Sequence, residues 1–179
     1  MKKINNSGLT LVELILTLGL SAILISIIWS FFINNIKAFN INETELELQY
    51  NAQVAMDKIA KEVRESIAIS EIVDKDGNDI IYSSKKEDVK RVIFRCNEHA
   101  MEKHHIFENK LGDRLFYGIG MDKSSYIEIA NNISHLYIEP ISYGKCFKDT
   151  NGINIELELD KDGYKKVLES SIFFRNHEK

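Results

Sequence analysis

A chain of 179 residues with 44% hydrophobic and 28% charged residues has a globular balance, and its length allows one folded domain with a modest core while excluding a large multidomain enzyme. With 23 Lys and Arg against 27 Asp and Glu the formal net charge is -4, which removes the general electrostatic reason to bind nucleic acid, whose affinity comes mainly from basic side chains neutralising phosphates. One proline, Pro140, and nine glycines punctuate the chain, but neither residue occurs between Gly19 and Gly77, so that stretch reads as helix.

The first eight residues, M-K-K-I-N-N-S-G, are short, polar and basic at Lys2 and Lys3, which places this end on the cytoplasmic side of any membrane that the following segment crosses. From Leu14 to Ile33 there are 20 consecutive uncharged residues. At ~1.5 Å rise per residue a helix of that length matches the ~30 Å hydrocarbon core of a bilayer. The hydroxyls of Thr17, Ser21, Ser26 and Ser30 fit such a helix because they can bond back to its carbonyls. The run is longer than the apolar core of a secretory signal peptide and no small-residue cleavage site follows it. A lipoprotein signal would place a cysteine directly after the run, yet the first cysteine is Cys96. Within the apolar segment stands Glu13. A carboxylate at a bilayer centre costs roughly 2.5 to 3.5 kcal/mol, less near the interface, so Glu13 calls for a partner.

The segment S-G-L-T-L-V-E-L-I-L-T-L-G-L, Ser7 to Leu20, resembles the class III signal of type IV prepilins. That resemblance implies cleavage by a prepilin peptidase after Gly8, methylation of the new N-terminal amine on Leu9, and a glutamate at the fifth mature position, here Glu13. Leu9 departs from the phenylalanine most common at its position. In such filaments apolar helices pack side by side, and the carboxylate of one subunit neutralises the terminal amine of another, so each buried charge offsets the other. The resemblance also implies an α+β pilin fold, a single-pass precursor whose head lies outside the cytoplasm, and filament assembly by other pilin or pseudopilin subunits, a platform protein and an ATPase. No cofactor is implied.

Behind a membrane segment ending near residue 36, the helix is expected to continue to about Ile69. Leu48, Ala52, Ala55, Met56, Ile59, Val63 and Ile67 recur at steps of three and four and define one apolar face. Asp57 with Lys61 and Lys58 with Glu62 read as surface pairs four residues apart, each worth about 0.2 to 0.5 kcal/mol. The remaining 110 residues, 70 to 179, read as a β-rich head. Strands are expected at Val89–Cys96, Arg114–Ile119, Tyr126–Ala130, Ile133–Glu139, Ile153–Leu159 and Tyr164–Phe174, and Asp162-Gly163 reads as a tight hairpin turn. An antiparallel sheet with one apolar face laid on the amphipathic helix buries both stripes at once. The run A-M-D-K-I-A-K-E-V-R-E-S-I is similar to the helix end of J-type minor pseudopilins and W-type minor pilins, and S-I-F-F-R-N to their final strand.

The head offers little chemistry. Asp74-Lys75-Asp76-Gly77-Asn78-Asp79 begins like a calcium loop but has Asp79 where an EF-hand needs glycine and Lys85 where it needs glutamate, so a solvated turn is expected. Cys96, His99, His104 and His105 are metal-ligand types without a second nearby cysteine, and no metal site is expected from them. Cys96 and Cys146 both fall in the part expected outside the cytoplasm, where a disulfide is chemically permitted and would stabilise the fold by ~4 kcal/mol; two buried thiols are the alternative. No nucleophile elbow, phosphate loop or convergent carboxylate pair points to an enzyme. The expectation is therefore a non-enzymatic filament subunit, a minor pilin or pseudopilin of a secretion pseudopilus or type IV pilus. A DNA-uptake pilus subunit or a membrane-tethered adhesin is the competing reading.

Overall fold

The computed structural model describes residues 10–96, 103–122, 124–141 and 145–175. The chain divides into two compact units, Met1–Glu43 and Thr44–Lys179. The architecture is α+β: one long N-terminal helix, α1 (Leu11–Glu65), precedes eight strands. These are β1 (Ser66–Asp74), β2 (Glu87–Cys96), β3 (Lys103–Lys110), β4 (Arg114–Gly120), β5 (Ile127–Ala130), β6 (Ile133–Pro140), β7 (Gly152–Lys161) and β8 (Tyr164–Phe173).

All strand pairings are antiparallel, in the order β5-β4-β3-β2-β6-β7-β8, with β1 added alongside β2. β2 is the hub of the sheet. Its Cys96 pairs with both Ser66 of β1 and Lys103 of β3, one on each edge, while only its first residues, Glu87 and Asp88, reach Ile138 and Tyr137 of β6. The sheet therefore bends into a larger part around β2 and a smaller part, β6-β7-β8, joined at the start of β2. At the β7–β8 turn Asp162 and Gly163 have φ of 54° and 84°, the double left-handed geometry of a two-residue hairpin that glycine and aspartate tolerate best.

Within the second unit, the predicted helical stripe is the buried one. Leu48, Ala52, Ala55, Met56, Ile59 and Val63 share a single core cluster with Phe94, Phe107, Leu136, Phe147, Ile155 and Leu157. Each large side chain buried there is worth about 1.5 to 3 kcal/mol relative to its exposed state. Phe94 meets Phe107 edge-on, with centroids 6.1 Å apart, and lies 6.2 Å from Phe174. Hence Phe174, just beyond β8, closes the same core that the helix opens.

Three differences from the sequence-based expectation stand out. The helix stops at Glu65 rather than near Ile69, and β1 begins at once. Ile67 keeps the helical step from Val63, but the β-branched run that follows gains more by pairing with β2, and Ser66 Oγ bonds the Glu62 carbonyl at 2.7 Å to close the last turn. Arg175 N–H donates to the Arg64 carbonyl at 3.0 Å, so the end of the chain satisfies another terminal carbonyl. Secondly, β1 itself was not expected, because bulges at Ser66/Ala68 and Ile69/Glu71 break the alternation that marks a strand. Thirdly, β3, K-H-H-I-F-E-N-K, was missed: its polar composition conceals that His104, His105, Ile106 and Phe107 are all buried. The six expected strands agree to within two residues at each end.

Candidate functional sites

From Leu11 to Ile36 the helix exposes large apolar side chains on every side, among them Leu16, Ile23, Ile27, Trp29 and Phe31. A helix apolar all round is one that something apolar must surround. This segment is long and apolar enough to cross a membrane. Thr17 Oγ1 donates to the Leu14 carbonyl at 2.9 Å and Ser21 Oγ to the Thr17 carbonyl at 2.7 Å, so both hydroxyls are satisfied inside the helix, as a helix in hydrocarbon would need. Gly8 and Leu9, the expected processing residues, lie outside the described residues.

Glu13, the third expected site residue, has a local partner. Thr10 N–H and Thr10 Oγ1 both donate to Glu13 Oε2, at 2.9 and 2.8 Å, and Glu13 N–H returns a bond to Thr10 Oγ1 at 3.3 Å. This is a capping box: a threonine N-cap and a glutamate three residues on, each satisfying an otherwise orphaned amide. The pattern T-x-x-E was legible in the sequence and gives Glu13 a role within a single chain. Among the described residues, Oε1 makes no hydrogen bond, so half of the carboxylate stays available.

At the other end of α1 a second glutamate was misread. Lys58–Glu62 was expected as a surface pair; the contact exists at 2.6 Å, but Glu62 is only 5% exposed. Its other oxygen lies 3.2 Å from His105 Nδ1, which is also 2.8 Å from the Tyr117 hydroxyl, and Lys58 Nζ stands 4.0 Å from the centre of the Tyr117 ring. Burial, and then the negative charge of Glu62, push the Tyr117 phenol above its ordinary value. The donor atoms of Glu62, Glu65 and His105 lie within 4.8 Å of one another, a metal-ligating combination, but Lys58 Nζ already fills the cation's place against Glu62. The arrangement is an ionic and aromatic clamp tying the last turns of α1 to β3 and β4. The missed signal was position: Glu62 is seven residues after Ala55 and three after Ile59, in phase with the buried stripe. Asp57, by contrast, accepts a 3.4 Å bond from Gln53 Nε2 rather than an ion pair from Lys61.

The remaining candidates resolve simply. Asp74 Oδ1 accepts from the backbone amides of Asp76 and Asn78 at 2.9 and 2.8 Å, and Oδ2 from Asn78 Nδ2 at 2.9 Å. Those bonds, Asn78's first, hold the Asp74 carboxyl below its ordinary value, and the segment is a self-satisfied turn. His104 and His105 are adjacent strand residues and project to opposite faces of β3, which prevents them from sharing one ion. His99 lies outside the described residues. Cys96 and Cys146 are not bridged to each other in the structure, the arrangement of the second of the two alternatives, although both are half-buried and not buried. Cys96 closes β2, whereas Cys146 is followed by Phe147, whose amide bonds the Ser83 carbonyl just before β2 begins. The length of a ten-residue strand, roughly 30 Å, separates those two ends, against a Cα limit near 7 Å for a bridge.

Comparison with protein-family models, with curated proteins and with solved structures finds no match to this chain.

Proposed function

We propose that this chain is a minor pilin or pseudopilin: a precursor trimmed after Gly8 by a prepilin peptidase, held in the cytoplasmic membrane by its apolar helix with the head outside, and drawn into a filament of similar subunits. It acts by assembly and not by catalysis. The observation that carries the reading is the N-terminal segment itself. A basic leader and glycine precede a helix that is apolar on every side from Leu11 to Ile36, with one carboxylate, Glu13, at its start. The second unit supports it, because the amphipathic turns of α1 are covered by the chain's own sheet and leave the apolar turns as the surface offered to lipid or to other helices.

The capping box refines the mechanism. Thr10 uses Glu13 Oε2, and Oε1 is the oxygen that would meet the methylated Leu9 amine of a neighbouring subunit. A charged amine leaving the membrane interface for a helix-packed core needs such a counter-charge. The platform protein and ATPase supply the work of extraction and contact this chain only through assembly.

Intact-mass analysis of membrane-extracted protein, made with and without a prepilin peptidase, tests the reading. A mature chain beginning at N-methylated Leu9 is expected, and Gly8→Ala should remain full length. A chain starting elsewhere, or normal processing of Gly8→Ala, overturns the proposal. For Glu13→Gln, insertion and cleavage should be retained while the fraction recovered in sheared filaments falls; an unchanged fraction removes the pairing role.

A further inference from the structure

β8 ends the order of strands in the sheet, and among the described residues it pairs only with β7. That pairing runs from Gly152↔Phe173 to Lys161↔Tyr164 without a register shift, so no bulge or proline disturbs the strand. Lys161 and Tyr164 flank the two-residue turn as a hydrogen-bonded pair. Alternation then turns the backbone N–H and C=O groups of Tyr164, Lys166, Leu168, Ser170 and Ile172 toward β7, and those of Lys165, Val167, Glu169, Ser171 and Phe173 toward the open edge. An uninterrupted edge of this length is a template for another strand.

Charge on the same strand says which one. In the β7–β8 register Glu156 lies directly opposite Glu169, a destabilising like-charge pair. Lys86 Nζ bonds Glu156 Oε2 at 2.5 Å, while Glu169 makes no salt bridge among the described residues. Lys165, four residues before Glu169, is exposed on the same face; its Nζ bonds Glu158 Oε1 at 2.9 Å and lies 3.9 Å from Asp160 Oδ2, a surface pairing weak enough for the 61% exposed lysine to exchange for a carboxylate across the edge. The edge thus carries one exposed cation, Val167 two residues later, and one under-compensated anion two residues after that.

We propose that β8 pairs antiparallel with β8 of a second copy of this chain, about a two-fold axis through Val167. In that register Val167 meets Val167 of the second copy, Lys165 meets its Glu169, and Glu169 meets its Lys165. All three are positions whose backbone groups face the open edge, so hydrogen bonding and charge select the same alignment. A two-fold through Glu169 or through Lys165 would oppose like charges, and no other two-fold register sets Lys165 against Glu169. The contact is isologous and closes as a dimer. It does not depend on cleavage at Gly8 or on the role of Glu13.

The test uses the full chain in detergent. In a Cys96→Ser, Cys146→Ser background, Val167→Cys should form a disulfide-linked dimer under mild oxidation, since directly opposed Cα atoms lie about 5.5 Å apart. Glu169→Cys places the thiols roughly 13 Å apart and should cross-link at least about tenfold more slowly. With the native cysteines retained, light scattering should show Glu169→Lys as monomer, and adding Lys165→Glu to it should restore the dimer. Equal cross-linking at the two positions, or a dimer insensitive to Glu169→Lys, or a monomeric parent chain, overturns the proposal. Processing at Gly8 is read by mass in the same samples, so failure of the dimer and failure of the filament-subunit reading are separate results.

Discussion

From Leu11 to Ile36, α1 shows apolar side chains on every side, whereas from Thr44 to Glu65 it buries Leu48, Ala52, Ala55, Met56, Ile59 and Val63 and turns Glu45, Asp57 and Lys61 outward. Each stretch also carries one glutamate of consequence. Glu13 is exposed and, among the described residues, bonded only to its own first turn; Glu62 is buried and bonded to Lys58 and across to the sheet. The comparison teaches that one continuous secondary structure can serve two solvents. Helical hydrogen bonding is indifferent to which it meets, while side chains are not, so the pattern of side chains decides which turns belong to the core and which require an apolar environment from outside the chain.

The sharpest way to break this comparison is to remove the two glutamates separately. Glu62→Ala leaves the buried His105 ring and the half-buried Lys58 without their shared carboxylate partner and should cost about 1.5 to 3 kcal/mol in head unfolding, followed by denaturant titration in micelles. Glu13→Ala should leave that transition within ~0.5 kcal/mol of the parent, as a change in the other unit with no partner in the core. If both substitutions weakened the head alike, the two ends of the helix would not be energetically separate.

Isoleucine truncations ask the same question of packing. Ile59, 2% exposed, should cost about 2 to 5 kcal/mol as Ile59→Ala, through lost transfer energy and the cavity left behind. Ile25, 65% exposed, should change head unfolding by less than ~0.5 kcal/mol as Ile25→Ala. Equal costs would mean that Ile25 is covered by the head.

The smallest effect concerns pH. Tyr117 has its phenol raised by burial and by Glu62, so the folded state holds that proton after the unfolded state has released it. The corresponding stability is fully present below about pH 10, the ordinary tyrosine value, and declines above it by up to ~1.4 kcal/mol per pH unit. Near-ultraviolet titration should show one of the seven tyrosines resisting ionisation until unfolding. In Glu62→Gln that resistance should weaken, sharpening the assignment of Tyr117 to the clamp; a full seven-residue titration in the folded parent would contradict it.

Periodicity by itself determined the helix, its division into an apolar and an amphipathic part, the stripe from Leu48 to Val63, six strands and the Asp162-Gly163 turn, because each depends on residues close in sequence. The expectation for Gly8, Leu9 and Glu13 came from the resemblance of the N-terminal motif to prepilin signals, and the T-x-x-E capping box that occupies Glu13 in the isolated chain was overlooked. Only the tertiary structure decided where the helix stops, since Ile67 satisfies the helical step and yet pairs with β2. The burial of Glu62 likewise needed His105 and Tyr117, which are more than 40 residues away in sequence. β3 became visible as a strand only through its neighbours on both edges, which pair its polar backbone and cover His105 and Phe107. The separation of Cys96 from Cys146 is of the same kind. Local patterns report the chain's intrinsic preferences, while the partners that make a charge, a histidine or a thiol buried arrive from distant segments and leave no periodic trace.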